Sequence, residues 1–304
     1  MDGRSKEAVR NLEEAYQWRN RHSAEDHPSR LASQHALAVA YESNGQVKEA
    51  VVLLEQVVAI EAKILAEDHP NRLASQHTLA VAYESNGQVK EAIVLLEQVV
   101  AIKAKIFAED HPDRLASQHA LAIAYRANSQ VEEAIVLLEQ VVAIKAKILA
   151  KDHPSQLASQ HALAIAYRAN GQVKEAVILL EQVVAIEAKI LTEDHPDRLV
   201  SQHALAVAYQ ANSQVEEAVV LLEQVVAIEA KILAEDHPNR LASQHALAIA
   251  YRANGQVEEA VVLLEQVVAI EAKILAEDHP DRLVSQHALA RVYKEAADRD
   301  KTRV

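Results

Sequence analysis

The stretch that decides the fold is LASQHALAVAYESNGQVKEAVVLLEQVVAIEAKILAEDHP, residues 31–70. The chain repeats this stretch with small changes and without insertions, at a period of 42 residues. The period is marked by seven His-Pro pairs, which lie at His27-Pro28, His69-Pro70, His111-Pro112, His153-Pro154, His195-Pro196, His237-Pro238 and His279-Pro280. A fixed period of this size is typical of a solenoid, in which each unit packs only against its neighbours.

Each repeat contains two segments with helical periodicity. In the first, helix A over about residues 28–43, Pro28 suits the first helical position, His27 caps it, and Asn44-Gly45 supplies a left-handed stop. In two repeats serine replaces this glycine, and there we expect the preceding asparagine, Asn128 or Asn212, to take the positive φ. The second segment, helix B over about residues 46–66, is apolar around much of its circumference and must be covered on more than one side.

The repeat pattern predicts an all-α, right-handed solenoid of antiparallel helix pairs with fourteen helices. Residues 1–27 match the second half of a repeat and form a capping helix B. Residues 280–304 form a last helix A, followed by a charged tail that is expected to fray. Between them lie six full repeats, at 28–69, 70–111, 112–153, 154–195, 196–237 and 238–279.

The first helix differs from the repeats in a way that suits an end. Asn11 replaces the leucine found at position 53, and His22 replaces the isoleucine at position 64, so apolar positions become polar where no preceding unit covers them. Trp18 and Tyr16 also lie here, and we expect them to fill a gap at the end of the core rather than to bind a ligand.

Composition and charge exclude several classes of protein. The formal net charge of -13 argues against a nucleic-acid binder, which needs a basic face. The absence of cysteine excludes disulfides and thiolate chemistry. No apolar leader and no uncharged apolar run of about 18 residues is present, so neither a signal peptide nor a membrane span is predicted, and we expect a cytoplasmic protein.

The repeat resembles a known family. Leu37, Ala38, Tyr41, Ala50 and Leu54 lie at the spacing of the tetratricopeptide repeat (TPR), over residues 3 to about 294. The 42-residue length and the EDHP ending resemble the kinesin-light-chain type of TPR. Near-identical tandem copies are similar to the repeat domains of fungal NACHT and NB-ARC receptors of the NLR-like class, although no G-x-x-x-x-G-K-[ST] motif is present here.

This resemblance implies that helices A line a concave groove in which a protein or peptide partner binds. Five positions of helix A project onto that face: those of Ala32, His35, Val39, Glu42 and Ser43. The predicted partner-binding residues are His35, Val39, Glu42, His77, Glu84, His119, Arg126, His161, Arg168, His203, Gln210, His245, Arg252, His287, Arg291 and Lys294.

The Glu42 position varies most among the repeats. It is acidic at Glu42 and Glu84 and mostly basic from Arg126 onwards, which would select an extended ligand of matching polarity. The alternative is neutral drift at a helix C-terminus that tolerates cations. Other exposed positions, those of Glu55 and Gln56, are identical in all six full repeats, and this contrast favours recognition.

No step of chemistry can be derived from the residues. The His35 ladder could bring two imidazoles together, but no further ligand lies at that level, so we expect contact or solvated histidines rather than a metal site. Ser33, His35 and Asp68 recur in every unit with nothing to close a pocket around one set, so we expect neither an enzyme nor a cofactor. The charges of helix B, including Lys103 and Lys145 where other repeats have glutamate, are expected to form a solvated convex face.

Two functions stay open. The first is an interaction module, as the ligand-sensing repeat domain of a larger NLR-like receptor. The second is a structural or consensus-like array that self-assembles as a homo-oligomer through its ends, since the last helix A has no partner helix over Leu283, Leu289 and Tyr293.

Overall fold

In a computed structural model, residues 3–302 are described, with side chains for residues 7–299. This part of the chain forms fourteen α-helices and no strand. The helices are α1 Gly3–His22, α2 Pro28–Ser43, α3 Val47–Ile64, α4 Pro70–Ser85, α5 Val89–Ile106, α6 Pro112–Ala127, α7 Val131–Ile148, α8 Pro154–Ala169, α9 Val173–Ile190, α10 Pro196–Ala211, α11 Val215–Ile232, α12 Pro238–Ala253, α13 Val257–Ile274 and α14 Pro280–Thr302. The all-α solenoid of helix pairs predicted from the repeat is confirmed.

The chain divides into two compact units between residues 150 and 151. The first unit contains α1 to α7 and the second contains α8 to α14. Within each unit, every helix packs against the helix before and after it, and each even-numbered helix A also touches the next helix A. This nearest-neighbour packing is the local arrangement that a solenoid requires.

Each full helix A begins as the His-Pro pair predicts. His27 has an extended backbone, and its ring accepts a hydrogen bond from the amide of Ser29 (3.2 Å), while Pro28 occupies the first turn. The same cap recurs at the other six pairs. The histidines of the His-Pro pairs are therefore helix caps, because their ring nitrogen satisfies an amide that the helix leaves unpaired.

The turn from helix A to helix B is a Schellman motif. The amide of Gln46 donates to the carbonyl of Tyr41 (2.8 Å), and that of Gly45, at φ 80°, donates to Glu42 (2.9 Å). Where serine replaces glycine, the prediction that asparagine takes the positive φ is wrong: Ser129 and Ser213 have φ of 63° and 64°. The pair of hydrogen bonds needs the left-handed conformation at this residue, whichever side chain stands there.

Small and branched side chains close the core of each pair. In the first unit, Ala38 and Ala50 are fully buried where α2 meets α3, and Leu54 fills the space beside Leu79 of α4. The same cluster recurs at each following pair in both units. Only small residues allow the two helices of a pair to approach so closely, which explains why these alanines recur in every repeat.

The two terminal helices differ from expectation. Trp18 does not fill the core, because it is 62% exposed and stacks on His22 with ring centroids 4.6 Å apart. The charged tail is helical as far as Thr302, and Arg299 donates to the carbonyl of Gly255 (2.8 Å), which ties the tail to the turn before α13. No described helix is both long and apolar enough to cross a membrane.

Candidate functional site

The side chains at the Glu42 position reach from one helix A towards the next. Glu42 accepts a hydrogen bond from Ser85 (3.3 Å), and Gln210 donates to the carbonyl of Ala246 (3.1 Å). Arg252 lies 3.9 Å from the carboxylate of Glu295. The residues of this row are half-buried, apart from the exposed Lys294, so they form a contiguous strip along the helix A face of each unit. Their partner-binding role stays a prediction.

The Val39 row lies beside this strip. Val39 and Arg291 are exposed, and the residues between them in the repeat order, such as Val81 and Ile123, are half-buried. The strip therefore combines a charged row with an apolar row on one face of helix A.

The histidine ladder lies deeper than the sequence suggests. His77, His203 and His245 are half-buried between consecutive A helices, where each Nδ1 lies 3.1 Å from a serine hydroxyl of the next helix A. His161 makes the same contact with Ser201 at 3.3 Å. His35 instead contacts Thr78 through Nε2 (3.0 Å), and His287 is exposed. Most of these rings therefore hold neighbouring repeats together, whether or not they also touch a partner.

The residue that sequence reasoning missed is the one at the Glu61 position. We call it the junction residue, because within each unit it lies in helix B where two consecutive A helices meet. The full repeats carry Glu61, Lys103, Lys145, Glu187, Glu229 and Glu271 there, and Arg19 occupies the position in α1. All six of the repeat residues are buried, so the expectation that this position belongs to a solvated convex face is wrong. The other helix B charges, such as Lys48, Glu49 and Lys63, are exposed as predicted.

Burial of the junction residue follows from its place on the apolar stripe of helix B. Ala50, Leu54 and Val57 are buried, and position 61 continues their three- and four-residue spacing. That spacing was the available signal. This signal is obscured because a position that is glutamate in some repeats and lysine in others is more typical of a solvent-exposed surface.

The Lys103 junction, formed by α4, α5 and α6, is fully connected by hydrogen bonds. The Lys103 ammonium donates to the Ser117 hydroxyl (2.8 Å) and to the carbonyl of Asp113 (3.0 Å). Ser117 Oγ lies 3.1 Å from Nδ1 of His77. Because a lysine ammonium can only donate, Ser117 accepts from it and is free to donate its own proton to His77.

At the glutamate junctions of the second unit, the direction of these hydrogen bonds is reversed. Ser285 donates to Oε1 of Glu271 (3.1 Å) and lies 3.1 Å from Nδ1 of His245. Ser201 donates likewise to Glu187 (3.1 Å). A serine has one hydroxyl proton, so once that proton is given to an ionised glutamate, the histidine Nδ1 must be the donor.

These junctions shift the pKa of their groups in opposite directions. Burial lowers the pKa of His77 to about 4, with a further contribution from the charge of Lys103. Burial raises the pKa of Glu187 and of Glu229 to about 7, against the hydrogen bonds from Ser201 and Ser243. It also lowers the pKa of Lys103. Each group is thus pushed towards its neutral form, as expected for charges removed from water.

The arrangement resembles a catalytic triad in composition but not in order. Serine bridges the carboxylate and the histidine, whereas a nucleophilic serine needs the histidine between itself and the acid. Ser201 is also buried, and its one hydroxyl proton is donated to Glu187 rather than to a histidine. Among the described residues, no three His, Asp or Glu side chains are grouped so that they could hold a metal ion.

The invariance of Glu55 and Gln56 has a structural cause. Glu55 accepts a hydrogen bond from the hydroxyl of Tyr83 (2.8 Å), and Gln56 accepts one from the Gln34 amide (2.8 Å). Equivalent tyrosine–glutamate bonds recur at Tyr41, Tyr125, Tyr209 and Tyr251. These positions are fixed by contacts between helices, so their constancy is weaker support for selection at the Glu42 row than it first appears.

Comparison with known proteins assigns the chain to a family. The sequence model of the tetratricopeptide repeat matches at residues 1–63, 45–105, 72–147, 113–189, 155–229 and 197–273. No curated protein matches the chain.

Solved structures support the same assignment. A crystal structure of nearly identical TPR-like repeats from Podospora anserina, described as a candidate kinesin light chain, is 70% identical, with a TM-score of 0.59 over 67% of this chain and 97% of that one. A signal transduction ATPase with a tetratricopeptide repeat sensor, from Pyrococcus horikoshii, is similar in fold at 15% identity, with a TM-score of 0.63 over 86% of this chain and 38% of that one. A Rap protein complexed with competence and sporulation factor has a TM-score of 0.62 at 12% identity, over 89% and 77% of the two chains.

Proposed function

The chain belongs to the tetratricopeptide repeat family, and from this premise we propose that it is an interaction module that binds an extended protein or peptide partner along the exposed face of its A helices. Repeats of this family are protein-interaction modules. The proposal adds the face that is used and the polarity of the partner.

The observation that carries the proposal is the change of charge along the Glu42 row. Glu42 and Glu84 precede Arg126 in the first unit, and Arg168 and Arg252 flank Gln210 in the second. The neighbouring packing residues hardly vary. A half-buried charge is less screened than a fully exposed one, so each of these changes alters the local potential that a partner meets. We infer a partner with carboxylates opposite the arginine-rich part of the row.

A charge-reversal experiment tests this. The triple variant Arg126→Glu, Arg168→Glu, Arg252→Glu should bind an extended acidic peptide about 30-fold more weakly than the wild-type chain in fluorescence anisotropy, since like charges then face each other. The matched control reverses three exposed lysines of helix B, Lys147, Lys189 and Lys231, and should leave binding within about 3-fold. Equal losses in both variants, or none in the first, would show that net charge alone or another surface governs binding.

We further propose that the array is the ligand-sensing part of a larger NLR-like receptor. The support is the fold similarity to a signal transduction ATPase that carries a tetratricopeptide repeat sensor, together with the near-identity of the tandem repeats. Sequencing the complete reading frame tests this, because a receptor of this class needs a P-loop nucleotide-binding domain in the same chain. A reading frame without one would contradict the receptor role and leave the interaction module standing.

A self-assembling scaffold is the second candidate function. It is favoured by exposed apolar side chains on the terminal helices, namely Leu283 and Tyr293 on α14 and Trp18 on α1. Sedimentation velocity at several concentrations separates the two functions. A chain that stays monomeric at the highest concentration would exclude the self-assembling scaffold as its function.

A further inference from the structure

Two cavities of the second unit share a set of equivalent lining residues. One, of about 300 Å³, lies at the Glu187 junction, and the other, of about 540 Å³, lies at the Glu271 junction. Each of the eleven residues that line the first cavity has an identical counterpart in the second, two repeats or 84 residues later. The lining of the second also includes His203, Asp236, Asn239 and Ala246. We call them the Glu187 cavity and the Glu271 cavity.

The inner end of each cavity is a buried carboxylate with one oxygen to spare. Glu187 and Glu271 are each 4% exposed. Their Oε1 atoms accept the serine hydrogen bonds, but their Oε2 atoms accept none from any residue that the structure describes. A buried acceptor without a donor costs free energy, and the cost is greatest for a charged one.

The walls and the entrance of each cavity have different characters. Leucine, isoleucine, alanine and proline form most of the wall, and Val200 or Val284 stands at the outside. Asp197 or Asp281 lines the same cavity with a largely exposed carboxylate, 77% and 79% accessible. A ligand group that enters therefore passes apolar surface between the outer aspartate and the buried glutamate. In the Glu271 cavity, Asp236 adds a third carboxylate.

The cationic groups nearby make no hydrogen bond to the spare Oε2 atoms, although the charges of Arg198 and Arg282 act against the rise in the pKa of Glu187 and Glu271. Arg198 donates to the carbonyl of Leu191, and Arg282 donates to that of Leu275, so both guanidinium groups are engaged with the preceding loop. His195 and His279 use Nδ1 as helix caps. A further ring, His161 or His245, contacts the serine that also holds the glutamate. In the Glu271 cavity, His203 is a third ring, and its Nδ1 lies 3.1 Å from Ser243 Oγ.

The Glu61 junction of the first unit provides an internal comparison. It has the same buried glutamate with a spare Oε2, but Asn71 stands in place of Asp197 or Asp281 and Ala74 in place of the valine. Its cavity is about 220 Å³, and its second carboxylate is Asp26, from the loop before α2. Only the Glu187 and Glu271 junctions combine the buried glutamate, the aspartate and the valine.

We propose that the Glu187 and Glu271 cavities each receive a lysine side chain from one extended segment of the partner. This assignment rests on the proposed interaction function and specifies part of its specificity. The apolar wall suits the four-carbon stem, and the ammonium supplies the donor that Oε2 lacks. Lysine fits better than arginine because serine already occupies Oε1, and a guanidinium fork binds both oxygens of a carboxylate at once.

The spacing of the two lysines follows from the repeat. Consecutive A helices that touch lie about 10 Å apart, so cavities two repeats apart are about 20 Å apart. An extended chain rises about 3.3 Å per residue, which places the lysines about six residues apart. An even separation puts both side chains on the same side of an extended segment.

The test uses the whole chain and three synthetic peptides in isothermal titration calorimetry at pH 8. The first peptide has two lysines six residues apart, the second has them three residues apart, and the third has norleucine in place of both. The first should bind at least about 10-fold more tightly than the second, because only it can fill both cavities at once. The third should show no binding at about 1 mM.

Matched variants locate the binding. The double variant Glu187→Gln, Glu271→Gln should weaken binding of the first peptide at least about 10-fold, whereas Glu61→Gln should leave it unchanged. A second double variant, Val200→Phe, Val284→Phe, narrows the entrances without touching a carboxylate and should also weaken binding. Circular dichroism shows whether each variant keeps its helices.

Three results would overturn the proposal. They are wild-type affinity in the Glu187→Gln, Glu271→Gln variant, equal affinity for the two lysine spacings, and no binding of the first peptide at about 1 mM. None of these decides the interaction function itself, which is judged separately by the arginine variants and the acidic peptide.

Discussion

The Lys103 junction of the first unit and the Glu271 junction of the second place opposite charges at the same point of the repeat. The Lys103 ammonium donates to Ser117 and to the carbonyl of Asp113, whereas Glu271 has one oxygen that accepts a hydrogen bond and one that accepts none. The surrounding helices hardly differ. The comparison shows that a buried position tolerates either charge when a serine lies beside it and a histidine contacts that serine. Both side chains can donate or accept a hydrogen bond, so the direction of the bonds adjusts to the charge.

The largest expected effect is a pH response of opposite sign in the two kinds of junction. Burial lowers the pKa of His77 and His119 to about 4, so the unfolded chain binds protons more readily there than the folded one. Stability is therefore lost as the pH falls from about 6.5 towards 4, by up to about 3 kcal/mol for each histidine. The charges facing His77 are Lys103 and Asp113, and neither reverses the direction.

At the glutamate junctions the sign is reversed. Burial raises the pKa of Glu187 and Glu229 to about 7, so the folded state binds protons more readily, and stability is lost as the pH rises from about 4.5 through 7. Burial also lowers the pKa of His203 and His245. These histidines lose stability as the pH falls, which offsets part of the stability that the glutamates contribute in acid.

Hydrogen exchange measured helix by helix tests the contrast, with rates corrected for intrinsic chemistry. Between pH 8 and pH 5, α4 to α6 should lose clearly more protection than α9 to α11. An equal loss of protection in both sets of helices would contradict the opposite pH dependence of stability at the lysine and glutamate junctions.

A smaller effect is expected from removing the bridging serine. Ser201→Ala deprives Glu187 of the hydrogen bond to Oε1 and should cost about 2–3 kcal/mol at pH 8, because a buried charge is left without a donor. Ser117→Ala should cost about 1–2 kcal/mol, since Lys103 keeps the carbonyl of Asp113 as an acceptor.

Urea unfolding of the two variants measures the difference. Ser43→Ala is the matched control, because Ser43 is exposed, and it should change the free energy of unfolding by less than about 0.5 kcal/mol. If Ser117→Ala proved the more costly, the hydrogen bonds of the lysine junction would be less complete than the distances indicate.

Much of the fold could be predicted from the sequence because its signals are local. The His-Pro pair sets the start of helix A, and the turn at Gly45 sets its end, so α2 was predicted at 28–43 and observed at Pro28–Ser43. Helix B was placed at 46–66 and observed at Val47–Ile64, since the chain is already extended at Leu65, whose φ is -118°.

The site was harder to predict because it depends on contacts between repeats. Whether His77 faces a groove or a neighbouring serine depends on how two A helices pack, and no pattern within one repeat specifies that. The prediction that Trp18 fills the core is wrong for a related reason, since the surroundings of its side chain depend on what covers the first helix. The partner-binding role of the Glu42 row stays a prediction.

The junction residue decides where the proton lies on the histidine beside it. Nitrogen-15 NMR of the histidine rings at pH 8 tests this most directly. We predict an unprotonated Nδ1 on His77, which accepts from Ser117, and a protonated Nδ1 on His245, which donates to Ser285. The same tautomer on both rings would contradict the account.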